Sequence, residues 1–137
     1  MKRHRLDELF KAVSEPTRLR LLNLLRLGSI CVCELHAVLG ISQPTASRHL
    51  AALRHAGLVD DCRSGNRIIY SIAPPSTPQM EALYELLDRC CPRDEVMKAD
   101  LVRLKEAVRN GACRLDPYPD GRELPDYRGA PAAGANY

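Results

Sequence analysis

The chain has 137 residues with no tryptophan and one phenylalanine, so a single-domain core must come from Leu, Ile, Val and Ala, which favours a largely helical fold over a sandwich or barrel. No apolar run approaches the roughly 18 residues of a membrane span. The basic start, Met1 to Arg5, leads into a charged amphipathic stretch and not a secretory apolar one, so a cytoplasmic protein with no membrane partner is expected. The net charge is +3; residues 1–114 carry 18 basic against 13 acidic side chains, a net of +5. That balance suits a polyanionic partner or an ordinary solvated surface.

Leu6, Leu9, Phe10 and Val13 recur at helical spacing and predict a short amphipathic first helix. Ser14-Glu15-Pro16 is a helix start signal with proline in the first turn, and the leucines from Thr17 to Leu27, ending at Gly28, predict a buried second helix. Val32, Leu35 and Leu39 share one face of a third, terminated by Gly40. Ser42 then caps a fourth, with Ala46, Leu50 and Leu53 inward and Thr45, Ser47, Arg48, His49 and Arg54 on its polar side, stopping at Gly57.

Leu58-Val59 and Ile68 to Ile72 are β-prone and flank Arg63-Ser64-Gly65-Asn66-Arg67, which predicts a hairpin with a basic tip. Met80, Leu83, Tyr84 and Leu87 mark a fifth helix running to Cys90-Cys91, where Pro92 interrupts it. Val96, Leu101, Leu104 and Val108 mark a sixth. These terminal helices carry more apolar surface than a small domain covers by itself, so a homodimer formed through them is expected. From Leu115 the chain loses periodicity; residues 1–114 are expected to form one DNA-binding and dimerisation domain and 115–137 a disordered tail.

The order of elements is that of a winged helix-turn-helix, mainly α with a β-hairpin wing. In such a fold the fourth helix enters the major groove of double-stranded DNA. Ser42, Gln43, Thr45, Ser47, Arg48 and His49 are the candidates for DNA contact there, Gln43 and Ser47 by hydrogen bonds to base edges and Arg48 to guanine or phosphate. Arg63 and Arg67 are expected on phosphate or in the minor groove from the wing.

Glu15-Pro16-Thr17-Arg18-Leu19-Arg20-Leu21-Leu22, Cys31-Val32-Cys33-Glu34-Leu35 and Ser42-Gln43-Pro44-Thr45-Ala46-Ser47-Arg48-His49-Leu50 resemble the ArsR/SmtB family of metalloregulatory repressors, and its arsenic-responsive members in particular. The resemblance covers about residues 6 to 91. It implies a homodimeric repressor that leaves operator DNA when an inducer binds.

Six cysteines in a cytosolic chain are expected as reduced thiols. Cys31 and Cys33 open the third helix, and soft thiolates suit As(III), Sb(III), Cu(I) or Cd(II). Residues two apart on an ideal helix point about 200° apart, so joint binding of one ion by Cys31 and Cys33 is expected to unwind the first turn. The resemblance implies a third cysteine at position 36, where His36 stands, so either two thiolates suffice, a third comes from elsewhere, or His36 helps. Cys90 and Cys91 are the alternative ligand set, or one ligand plus one packed thiol, and Cys113 is a possible addition to that pair. Cys62 reads as a half-buried strand residue.

Zinc-sensing relatives use His and carboxylate ligands on the terminal helix, and no histidine follows His55; cadmium and lead sensors add an amino-terminal cysteine, and none precedes Cys31. As(III) or Sb(III) is therefore the expected inducer, with no organic cofactor. Three other readings use the same residues: a redox sensor, which needs acidic thiols at a helix N-terminus; a winged module that binds protein; and an enzyme built on Cys33 and His36. The last has no oxyanion hole or substrate pocket in view, so a non-enzyme is expected.

Overall fold

The computed structural model describes residues 5–122. Among these, six helices, α1 (Leu6–Val13), α2 (Pro16–Leu25), α3 (Val32–Leu39), α4 (Gln43–His55), α5 (Pro78–Cys90) and α6 (Glu95–Arg109), surround three strands, β1 (Ile30–Cys31), β2 (Val59–Ser64) and β3 (Arg67–Ile72). The mainly α winged helix-turn-helix expected from the sequence is the fold observed.

Side-chain oxygens start four of the helices. Glu15 accepts from the Arg18 N–H, Ser42 from Thr45, Thr77 from Met80 and Asp94 from Met97, each satisfying one of the N–H groups a helix leaves unpaired at its start. Gly40 ends α3 at φ 70, a left-handed position that favours glycine. That sharp stop lets α4 begin three residues later.

Leu21, Leu22, Leu24 and Leu25 of α2 are fully buried, with Leu35, Leu50, Leu53, Leu58 and Leu104 packed around them. Arg20 of α2 donates through Nε (2.8 Å) and Nη2 (2.9 Å) to Asp100 of α6, which is fully buried. Arg103 closes on the same carboxylate and donates from Nε to the Val38 carbonyl at 3.1 Å. One buried carboxylate thus joins α2 to α6, and Arg103 carries the link to α3.

The hairpin is longer than its apolar run suggests, pairing Val59 with Ile72 through to Ser64 with Arg67. The sheet order is β1–β3–β2, all antiparallel. β1 is absent from the sequence reading because two residues show no alternation. Its register, Ile30 to Tyr70 and Cys31 to Ile69, fastens the entry of α3 to the wing.

The tail expected to begin at Leu115 does not begin there. Ser29 and Asp116 exchange backbone hydrogen bonds of 3.1 and 2.8 Å, Tyr118 is buried with its hydroxyl donating to the Arg26 carbonyl at 2.8 Å, and Arg122 donates to the Ile72 carbonyl at 2.6 Å. Backbone pairing and one buried aromatic hold this stretch without any periodic pattern. Residues 1–4 and 123–137, the rest of the expected tail, lie outside the described residues.

On α1, Leu9, Ala12 and Val13 face inward while Leu6 and Phe10 are each 56% exposed. They line a groove of 370 Å³ between α1 and α5 whose far wall includes Leu83 and Leu86, and Leu86 is itself 50% exposed. Among the described residues no helix is long and apolar enough to cross a membrane.

Candidate nucleic-acid interface and thiol cluster

The N-terminal turns of α4 face solvent. Gln43 and Arg48 are exposed, and Thr45 and Ser47 are half-buried. The Ser42 hydroxyl accepts from the Thr45 N–H at 3.2 Å and donates to Thr45 Oγ1 at 2.8 Å, so two of the expected base-reading groups build the helix start. Gln43 and Arg48 are then the long polar side chains that this turn presents outward.

His49 corrects the sequence reading. It is buried, its Nδ1 accepts from Arg18 Nε at 3.2 Å, and Glu15 Oε2 lies 3.7 Å away. Adjacent helix positions are separated by about 100°, so with Ala46 and Leu50 inward the ring turns toward α2. It acts there as a polar tie between α2 and α4.

The wing arginines also separate. Arg63 is exposed beside the turn at Gly65, whose φ of 60 is again left-handed. Arg67 points back toward α3 instead: Nη2 lies 2.9 Å from Glu34 Oε1 and 3.6 Å from Asp116 Oδ2. Two carboxylates hold it, so the basic tip expected from composition rests on Arg63.

Cys31 is the N-cap of α3 and not its first helical residue, with extended φ −67 and ψ 143. Its Sγ accepts from the Cys33 N–H at 3.4 Å, and the two sulfurs are 2.6 Å apart. The 200° divergence expected from a helical wheel is therefore overturned, because the wheel does not apply to the capping residue. The two sulfurs converge on one side of the helix start, where one ion can meet both. Cys31 is buried and Cys33 exposed, which leaves one thiol as the point of entry.

Partial desolvation, then the contact with Cys31, pushes the Cys33 thiol up from its ordinary value. His36 is committed elsewhere, its Nδ1 3.1 Å from the Ile41 carbonyl at the far end of α3.

Cys90 and Cys91 separate, Cys90 exposed at the end of α5 and Cys91 buried in the following 3-10 turn. Burial pushes the Cys91 thiol up. Cys62 is exposed on β2, more open than the half-buried strand residue expected.

Glu34, Arg114 and Asp116, which sequence reading missed, meet at the start of α3, and Cys113, expected beside Cys90 and Cys91, joins them there. Glu34 Oε2 accepts from Cys113 Sγ at 2.9 Å and from the Arg114 N–H at 2.8 Å, while Oε1 takes Arg67. Asp116 adds the second carboxylate beside Arg67. Cys113 is buried, and its thiol is pushed strongly up by that burial and by Glu34. A carboxylate next to a Cys-x-Cys pair was the one available signal. Nothing local indicates that the chain returns from α6 to meet it.

A family model described as bacterial regulatory protein, arsR family, matches residues 15–61, the span from the cap of α2 into the wing. The arsenic resistance transcriptional regulator ArsR1 of Pseudomonas putida is 38% identical over 99 residues, covering 71% of this chain and 75% of that protein. The arsenical resistance operon repressor of Escherichia coli is 46% identical over 68 residues, 49% of this chain and 58% of that one. A solution structure of a homodimeric winged helix-turn-helix DNA-binding domain from Mycobacterium bovis, described as a possible ArsR-family regulator, superposes with a TM-score of 0.52 at 33% identity, covering 59% of this chain and 72% of that one. With the matched span containing the whole helix-turn-helix and the Cys-x-Cys start of α3, this chain belongs to the ArsR family of bacterial regulatory proteins.

Proposed function

We propose that this ArsR-family transcriptional repressor acts as a homodimer on operator DNA in the cytoplasm and is released when As(III) or Sb(III) is bound by Cys31 and Cys33. The observation that carries the reading is the convergence of the two sulfurs, 2.6 Å apart with Cys33 exposed, at the cap of the helix that precedes α4. Soft, closely spaced sulfurs suit a thiophilic trivalent centre better than a hard cation.

DNA is held by Gln43 and Arg48 from α4, with Thr45 and Ser47 beside them and Arg63 on the backbone from the wing. Ser42, His49 and Arg67 position these elements. The second copy is seated over the α1–α5 groove, where Leu6, Phe10 and Leu86 are exposed; the homodimeric state of the Mycobacterium bovis domain supports that occupant.

Chelation changes this corner at several points. The sulfurs must spread from 2.6 Å to the wider span of a dithiolate chelate, which shifts Cys31, the cap of α3. Cys31 is also paired with Ile69 of β3, and Glu34, one residue beyond Cys33, holds Arg67 of the same strand. The wing and α4 are thus adjoined to the thiols through β3 and α3. A switch from nearly all bound to nearly all released requires the inducer to favour the released state by about 5.5 kcal/mol, which a two-thiolate chelate formed only in that state can supply.

The same sulfur proximity favours a second reading. Peroxide could take two electrons and two protons from Cys31 and Cys33, forming a disulfide and two waters. One experiment separates the two: binding of the reduced full chain to DNA upstream of its own gene, with arsenite, antimonite, zinc, cadmium or peroxide added. Release by arsenite and antimonite under reducing conditions is the expected result. Release by peroxide alone establishes the redox switch, and binding that neither disturbs removes the thiol reading.

A further inference from the structure

Trivalent arsenic has three valences, and Cys31 with Cys33 satisfies two. His36 does not supply the third, since its ring is engaged at the opposite end of α3. Cys90 and Cys91 sit at the junction of α5 and α6, where the Cys91 thiol lies within electrostatic reach of Arg26.

The stretch after α6 does reach the pair. The Cys113 N–H closes on the Ala107 carbonyl at 3.0 Å, turning the chain back at the end of α6, and the Ser29–Asp116 bridge then lays it along the approach to β1. Between these two ties, the Arg114 N–H and the Cys113 thiol both donate to Glu34 Oε2, at 2.8 and 2.9 Å. Glu34 adjoins Cys33, and Cys33 and Cys113 line one cavity of 330 Å³ together with Glu34, Ala37 and Asn110. A third thiol, distant in sequence, is therefore delivered to the wall that Cys33 occupies.

We infer that Cys113 supplies the third sulfur, so that the inducer is held by Cys31, Cys33 and Cys113. The inference rests on the reading of Cys31 and Cys33 as inducer ligands and adds the residue that completes them. Arsenite enters as As(OH)3. Three As–S bonds replace three As–O bonds, the three thiol protons leave with the three hydroxides as water, and no oxidant or reductant is needed. Among the described residues no three side chains already surround one point as a metal would require, so the third bond forms as Cys113 swings off Glu34. That movement strips Glu34 of one of its three partners at the moment of binding and ties inducer capture to the contact that holds Arg67.

The test is arsenic X-ray absorption on the reduced full chain loaded with arsenite, beside affinity measurements for arsenite and for phenylarsine oxide, which has only two valences to offer. Three sulfurs are expected around arsenic in the unmodified chain and in Cys90→Ser/Cys91→Ser. In Cys113→Ser, two sulfurs and one oxygen are expected, with arsenite affinity lowered about tenfold or more and phenylarsine oxide affinity unchanged. An unchanged helical circular dichroism spectrum and urea midpoint show that Cys113→Ser has folded. Three sulfurs persisting in Cys113→Ser overturn the assignment of Cys113. Three sulfurs persisting in Cys31→Ser/Cys33→Ser overturn the underlying reading, a distinct failure.

Discussion

Cys31 and Cys33 are separated by one residue and bring their sulfurs to 2.6 Å, whereas Cys90 and Cys91 are neighbours that separate, one exposed and one buried. Backbone conformation explains both. Cys31 is extended at ψ 143 while Cys33 is helical, so the chain folds one thiol back over the other. Cys90 and Cys91 both hold helical angles, ψ −39 and −41, and successive helical side chains diverge by about 100°. Spacing between cysteines therefore says little until the residue that caps the helix is known.

The largest effect that sharpens this contrast is on a two-valent arsenical. Cys31→Ser or Cys33→Ser is expected to weaken phenylarsine oxide binding about a hundredfold, and Cys90→Ser to leave it unchanged, as read by competition with a small dithiol. Equal losses at both pairs would break the comparison.

The surroundings of the pairs differ as well. Glu34→Ala removes an acceptor used by Arg67, Cys113 and Arg114 and is expected to cost about 2–3 kcal/mol in urea unfolding. Glu85→Ala, near Cys90, breaks only an exposed pair with Arg89 and should cost less than about 0.5 kcal/mol.

A smaller effect separates the two members of the second pair. Cys91→Ser buries a hydroxyl in place of a thiol and is expected to cost about 1–2 kcal/mol, against less than about 0.5 kcal/mol for the exposed Cys90→Ser. Smallest is the difference between the wing arginines: Arg63→Ala should reduce the salt dependence of DNA binding by about one unit of slope, while Arg67→Ala should leave that slope unchanged. A slope change at Arg67 would return it to the DNA surface.

The helices, the Ser42 cap and the hairpin were legible because each depends on neighbours within a few residues. Ser42 with Pro44, Gly40 and the Leu50–Leu53 face announce α4 locally. What was not legible depended on the rest of the chain. β1 exists because β3 offers it a partner, and the stretch from Asn110 to Arg122 is ordered by Ser29, Glu34 and carbonyls at the end of α2 and on β3. His49 looked polar and outward by type, yet Arg18 gives it a partner inside. At Cys31 a shift of one residue in the helix boundary reversed the geometry of the site.

The central claim is tested most directly by arsenite-driven release of bound DNA from Cys31→Ser/Cys33→Ser and from Cys90→Ser/Cys91→Ser, each compared with the unmodified chain under reducing conditions. Loss of release in the first variant, with DNA binding retained, and normal release in the second are the predicted results. Normal release from Cys31→Ser/Cys33→Ser would contradict the account.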